Sequence, residues 1–221
     1  MSRPGPRLAI FDCDGVLVDS ERLAVEIDAR AIGALGWAIT EAEVVERFLG
    51  RSDADVLAAI EHHLGHPVPA DWERRWAGEY ARTFDERLEA VPGVAAAIAA
   101  LTAAGLRTCV ASSGSLEKMR RTLGRVGLWD HFEGRIFSAS EVDRGKPAPD
   151  LFLHAASRSG VPAGRCVVVE DSQYGVAGAR AAGMRCVGFA GGITPAAQLR
   201  EADVVITDMA ALPAAVTALL A

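Results

Sequence analysis

FDCDGVLVDS, Phe11 to Ser20, carries two aspartates at the place where a buried strand should end. It follows the apolar run Leu8, Ala9, Ile10, and Asp12 and Asp14 alternate around Cys13 before Gly15 opens a turn. Alternation along a strand points both carboxylates to one side. Like charges packed together need a reason, either a divalent cation bound through their oxygens or a nucleophile set beside an acid/base. A solvated Asp-Gly turn accounts for the pair equally well, so the choice falls to the rest of the chain.

The 221 residues are half hydrophobic, enough to bury a substantial core as one large domain or as a domain with an insert. Formal charge is −6, with 23 basic against 29 acidic residues and no basic run, which argues against nucleic acid or an anionic membrane as partner. The first residues, MSRPGPR, lead straight into a strand and fit neither a signal peptide nor a transit peptide, so a cytoplasmic protein is expected, a monomer or small homo-oligomer. Cys13, Cys109, Cys166 and Cys186 sit in or beside predicted strands without paired spacing and read as buried thiols. Arginine supplies almost every cation, the exceptions being Lys118 and Lys146.

Along the chain, Asp19 and Ser20 open a predicted helix running to about Gly36. Thr40 with Glu43 forms a capping box, and Ser52 with Asp55 repeats the pattern. Asp71 opens WERRWAGEYARTF, whose Trp72, Trp76 and Tyr80 recur every four residues. Residues 18–87 therefore read as all-helical. From Val91 helices alternate with the strands RTCVA, RIFSA, CVVVE, RCVGFA and DVVIT, and runs such as CVVVE suit parallel strands covered on both faces. The expected fold is α/β, a Rossmann-like open parallel sheet formed by residues 1–17 and 88–221, with an α-helical cap domain, 18–87, inserted after the first strand.

Ligands of open parallel sheets bind beyond the carboxyl ends of the strands. Those ends carry Asp12; Ser112 and Ser113 with Gly114; and Glu170 with Asp171, while Lys146 lies in a loop ahead of the next helix. Carboxylates, a hydroxyl with nearby amides and one ammonium suit a phosphoryl group with magnesium, Asp12, Glu170 and Asp171 supplying the anions. A lysine kept at 146 in an arginine-rich chain suits a compact point charge that bridges a carboxylate and a phosphate oxygen. Lys118, next to Glu117 on a predicted helix, reads as solvated.

DCDGVLVDS, ASSG, GKPAPD and VEDSQYGV, in that order, closely resemble the motifs of the haloacid dehalogenase-like hydrolases. The similarity is to the helical-cap branch that contains the beta-phosphoglucomutases and many sugar-phosphate phosphatases. The resemblance implies Asp12 as nucleophile, Asp14 as general acid/base and Ser112 and Lys146 as phosphoryl-holding groups. It also implies Asp12, Glu170, Asp171 and the main-chain carbonyl of Asp14 as magnesium ligands. Phosphatase and mutase differ in the cap. Ala24 stands where the mutases carry a histidine, and Leu49 and Asp53 stand where they carry cations, so a phosphatase acting on a small phosphorylated sugar or sugar acid is expected and a mutase is the alternative. Arg51 and Ser52 in the cap loop are the candidate substrate contacts. His62, His63 and His66 read as exposed histidines near a helix end, and Arg74 and Arg75 as the solvated face of a helix that buries its tryptophans. A phospho-accepting or phosphate-binding module without turnover uses similar residue types, though a phospho-accepting receiver would not need the helical insert.

Overall fold

A computed structural model describes residues 5–49 and 53–221. The chain forms two compact units, Met1–Asp19 with Glu89–Ala221, and Ser20–Leu88. In chain order the elements are β1 (Leu8–Phe11), α1 (Ser20–Gly33), α2 (Glu41–Phe48), α3 (Asp53–Leu64), α4 (Trp72–Arg87), α5 (Val94–Ala103), β2 (Arg107–Ser112), α6 (Leu116–Arg125), α7 (Trp129–Phe132) and β3 (Ile136–Ser138). They continue with α8 (Asp150–Arg158), β4 (Cys166–Glu170), α9 (Gln173–Ala181), β5 (Arg185–Phe189), β6 (Val204–Ile206) and α10 (Leu212–Leu219).

The larger unit is a parallel six-stranded sheet in the order β3-β2-β1-β4-β5-β6 with helices around it. β1 lies centrally, pairing Leu8 with Arg107 of β2 on one side and with Cys166 of β4 on the other. Every residue of β1 and β4 is buried, which explains why both read as unbroken apolar runs. Leu8, Ile10, Cys109, Cys166 and Val168 form one core with Leu151 and Phe152 of α8 and Val176 and Ala179 of α9. Phe11, the neighbour of Ile10 along β1, packs against Phe132, ring centroids 6.1 Å apart. All four cysteines are free and buried.

Chain order reverses direction at β1, since β2 and β3 are laid down on one side and β4 to β6 on the other. That reversal leaves a crevice beyond the strand ends, and Asp12, Ser112 and Glu170 all stand there. The two segments leading out of and back into this unit are bonded to each other. Val18 bridges Ala90 antiparallel, Asp19 N–H donates to the Glu89 carbonyl at 3.0 Å, and Val91 N–H donates to that of Leu17 at 3.0 Å.

The described part of the second unit is helical, α1 to α4. Thr40 caps α2 as its spacing predicts, its hydroxyl accepting from Glu43 N–H while the Glu43 carboxylate accepts from Thr40 N–H. Asp71 precedes α4 without a side-chain cap bond, because its backbone is helical (φ −99°, ψ 0°) rather than extended. Arg87 grips Glu26 with two bonds of 2.7 Å, Trp72 Nε1 donates to the Ala31 carbonyl, and the Tyr80 hydroxyl bonds Asp28. His62, His63, His66, Arg74 and Arg75 are exposed, and Trp72 and Trp76 half-buried. Arg51 and Ser52 lie outside the described residues. No helix among the described residues is long and apolar enough to cross a membrane.

Candidate active site

Asp12 continues β1 by one residue, its N–H donating to the Val169 carbonyl at 3.0 Å, so its side chain leaves the sheet at the crevice. Its Oδ1 accepts from Lys146 Nζ at 2.5 Å, and the same ammonium donates to Glu170 Oε1 at 2.6 Å. Lys146, from the loop before α8, and Glu170, from the end of β4, meet Asp12 with side chains only 6% and 1% exposed. A lysine so deeply buried is tolerated because two carboxylates face it. Burial pushes the Asp12 carboxyl up to about 7 against the pull of Lys146, and the charges of Glu170 and Asp14 add to the rise. Burial works to lower the Lys146 ammonium, but the charges and hydrogen bonds of Asp12 and Glu170 outweigh it and leave the group raised. Cys13, between the two aspartates, is pushed well above its ordinary value by burial and then by their charges, which makes it an inert core thiol.

Glu170 is clamped from a second direction. Its Oε2 accepts from both the amide and the hydroxyl of Ser172 at 2.9 Å, and the Ser172 hydroxyl in turn accepts from Gly175 N–H as the N-cap of α9. Gly175 has to be bare, because a Cβ there would stand 1.8 Å from Glu170 Cδ and Oε1. Gly15 plays the same part for Asp171. It turns the chain at φ +73°, and a Cβ on it would lie 1.9 Å from Asp171 Oδ2. Asp171, 3% exposed, is thereby packed against the backbone that follows Asp14.

Ser112 ends β2 almost fully buried, its Oγ accepting from Gly114 N–H at 3.1 Å, and Ser138 pins the same loop through the Gly114 carbonyl at 2.7 Å. Ser113 is exposed. A Cβ on Gly114 would have Ser112 Oγ at 3.5 Å, Asp14 Oδ2 at 3.8 Å and Lys118 Cδ at 3.4 Å, so these groups share one small space. Lys118 is the correction to the sequence reading. Although 44% exposed, its ammonium reaches from the first turn of α6 to Asp14 Oδ2 at 2.7 Å and is not simply solvated. Burial works to lower it, while the charge of Asp14 and the bond to it leave it raised. Sequence reasoning missed Lys118, Ser172 and Gly175. The scarcity of lysine in this arginine-rich chain is a signal that points to the first as much as to Lys146.

The oxygens present suit a small hard cation. Among the described residues no three His, Cys, Asp or Glu side chains form a ready-made cage. Magnesium does not ask for one, since it enters through one or two carboxylates and completes its shell with water and substrate phosphate. The recess that bare Gly15 leaves for Asp171, at the strand end next to Asp12, provides such a pair, and a carboxylate's several lone pairs let Glu170 serve as well while holding Lys146.

A family model described as haloacid dehalogenase-like hydrolase matches residues 6–183, a span that includes all of these groups. The chain belongs to the haloacid dehalogenase-like hydrolase family. The 6-phosphogluconate phosphatase of Escherichia coli (strain K12) is 33% identical to this haloacid dehalogenase-like chain over 180 residues, 81% of this chain and 80% of that protein. A conserved haloacid dehalogenase-like protein from Agrobacterium tumefaciens has a solved structure that matches with a TM-score of 0.90 at 38% identity, covering 98% of this chain and 100% of that one. A family hydrolase from Deinococcus radiodurans, solved with bound phosphate and sodium, matches with a TM-score of 0.85 at 30% identity, covering 97% and 96%. This haloacid dehalogenase-like hydrolase is an enzyme, and a phosphatase.

Proposed function

We propose that this phosphatase hydrolyses a small phosphorylated sugar or sugar acid through a phosphoryl group carried on Asp12. The observation that carries the reading is the buried Asp12–Lys146–Glu170 cluster beside Asp14 and Ser112. Lys146 offsets the repulsion between an anionic substrate and the Asp12 carboxylate, and with the Ser112 hydroxyl it holds the phosphoryl oxygens. Asp12 attacks phosphorus and Asp14 gives a proton to the departing oxygen. Asp14 then takes a proton from the water that releases phosphate from Asp12, so one difficult displacement becomes two easier ones. Asp12, Glu170, Asp171 and the Asp14 carbonyl are the oxygens that would hold magnesium, which when bound supplies positive charge against the phosphoryl oxygens.

The similarity to a 6-phosphogluconate phosphatase supports the sugar-acid class. Ala24, standing where the mutases that this chain resembles carry a histidine, favours hydrolysis over mutase chemistry. Release of phosphate from para-nitrophenyl phosphate and from a panel of phosphorylated sugars and sugar acids tests the reading, with magnesium and with chelator. Asp12→Asn should abolish turnover and any acid-stable covalent label, and near-normal activity in that variant would overturn the assignment. Conversion of beta-glucose 1-phosphate to glucose 6-phosphate in a coupled assay would favour the mutase instead.

A further inference from the structure

Of the 23 basic residues only two are lysines, and both end on the paired aspartates, Lys146 on Asp12 and Lys118 on Asp14. Stability does not account for the second pair. An ion pair as exposed as this one adds little, and Lys118 lies in the first turn of α6, the end of a helix that disfavours a cation. Its main-chain N–H is tied to the Ser115 hydroxyl at 3.2 Å, and its stem crosses bare Gly114 beside Ser112 Oγ, so the side chain is led to Asp14 along a defined path. An arginine fork would cover both carboxylate oxygens, whereas the ammonium takes Oδ2. Exposure also rises across the site, from 6% and 10% for Lys146 and Asp12 to 23% and 44% for Asp14 and Lys118. The phosphoryl group therefore belongs at the buried end and the leaving group at the open end, where Lys118 stands.

We infer that Lys118 is a positioning residue for Asp14, holding one carboxylate oxygen so that the acid faces the leaving-group oxygen. The inference rests on Asp14 being the acid. Its consequence is selective, because substrates whose leaving oxygen needs a proton depend on Lys118 and those that leave as stable anions depend on it much less.

The test compares kcat/KM for phenyl phosphate, a poor leaving group, with that for para-nitrophenyl phosphate, a good one, in the full chain with magnesium. Asp14→Asn should lower the phenyl-to-nitrophenyl ratio about 30-fold and Lys118→Met about tenfold, less than the roughly 10²–10⁴-fold that a general acid contributes in all, because the ratio reads only the difference between the two leaving groups. Lys118→Arg should recover part of the loss, and the Asp14→Asn/Lys118→Met double variant should fall no further than Asp14→Asn, because the two act as one unit. A structural role would lower both substrates in step and leave the ratio unchanged. That result in Lys118→Met and in Lys118→Gln, with the ratio falling in Asp14→Asn, overturns the inference and keeps Asp14 as the acid. An unchanged ratio in Asp14→Asn itself overturns both.

Discussion

Gly175→Ala should destabilise this enzyme even though alanine is the better helix former. Residue 175 lies in the first turn of α9, where the exchange would ordinarily gain about 1 kcal/mol. Here the new methyl would stand 1.8 Å from the Glu170 carboxylate, against ordinary contact from 3.4 Å, so that group must retreat by roughly 1.6 Å. A retreat of that size breaks the 2.6 Å bond from Lys146 and the 2.9 Å bonds from Ser172. Charge-assisted bonds are worth about 1.5–3 kcal/mol each. Losing all three, less the helix gain, leaves a net cost of about 3.5–8 kcal/mol. At about 2–4 °C per kcal/mol for a chain of this size, the larger unit should melt roughly 10–25 °C lower by scanning calorimetry. Activity should fall with it, since of the two carboxylates that anchor Lys146 only that of Asp12 stays in place. Gly124→Ala is the control: it too is a helical glycine, in α6, but a Cβ there meets nothing within 4 Å, and the melting point should rise slightly. A Gly175→Ala protein as stable as its parent would refute the claim that Glu170 needs that bare backbone.

In the helical unit, Thr40→Ala removes the hydroxyl half of the α2 capping box, the bond from Glu43 N–H, while keeping the backbone N–H that donates to the Glu43 carboxylate, and should cost about 1 kcal/mol. Hydrogen exchange should show faster exchange confined to the amides of α2. Magnesium binding should be coupled to protons. Burial pushes metal-free Asp12 up to about 7, and a cation needs the ionised carboxylate, so affinity should fall by up to about tenfold per pH unit below that value and level off above it. Titration calorimetry in two buffers of different ionisation heat should therefore detect proton release at pH 6 and little at pH 8, and a heat independent of buffer at pH 6 would contradict it.

The strands were legible because the central ones are buried on both faces. LAIF and CVVVE appear as apolar runs whose first polar residues, Asp12 and Glu170, mark the crevice. Capping chemistry was legible at Thr40, where a short side chain bonds its own helix, and misleading at Asp71, where the backbone turns the wrong way to use it. What the sequence could not display were meetings decided by side-chain reach across elements. Lys118 and Asp14 are 104 residues apart, and nothing local distinguishes a lysine that crosses Gly114 to an aspartate from one that extends into water. The Ser172–Gly175 clamp on Glu170 is hidden for a related reason, because a missing methyl becomes informative only once the atom that would collide with it is known.

The central position of β1 has a cost during synthesis. Leu8–Phe11 leaves the ribosome early, yet its first neighbour begins at Arg107, roughly 100 residues later, and its second at Cys166. At about 5–20 residues per second, a four-residue hydrophobic segment waits on the order of 5–20 s without a partner on either edge. During that interval the nascent chain offers chaperones, and other nascent chains, the strand that the finished enzyme buries most completely.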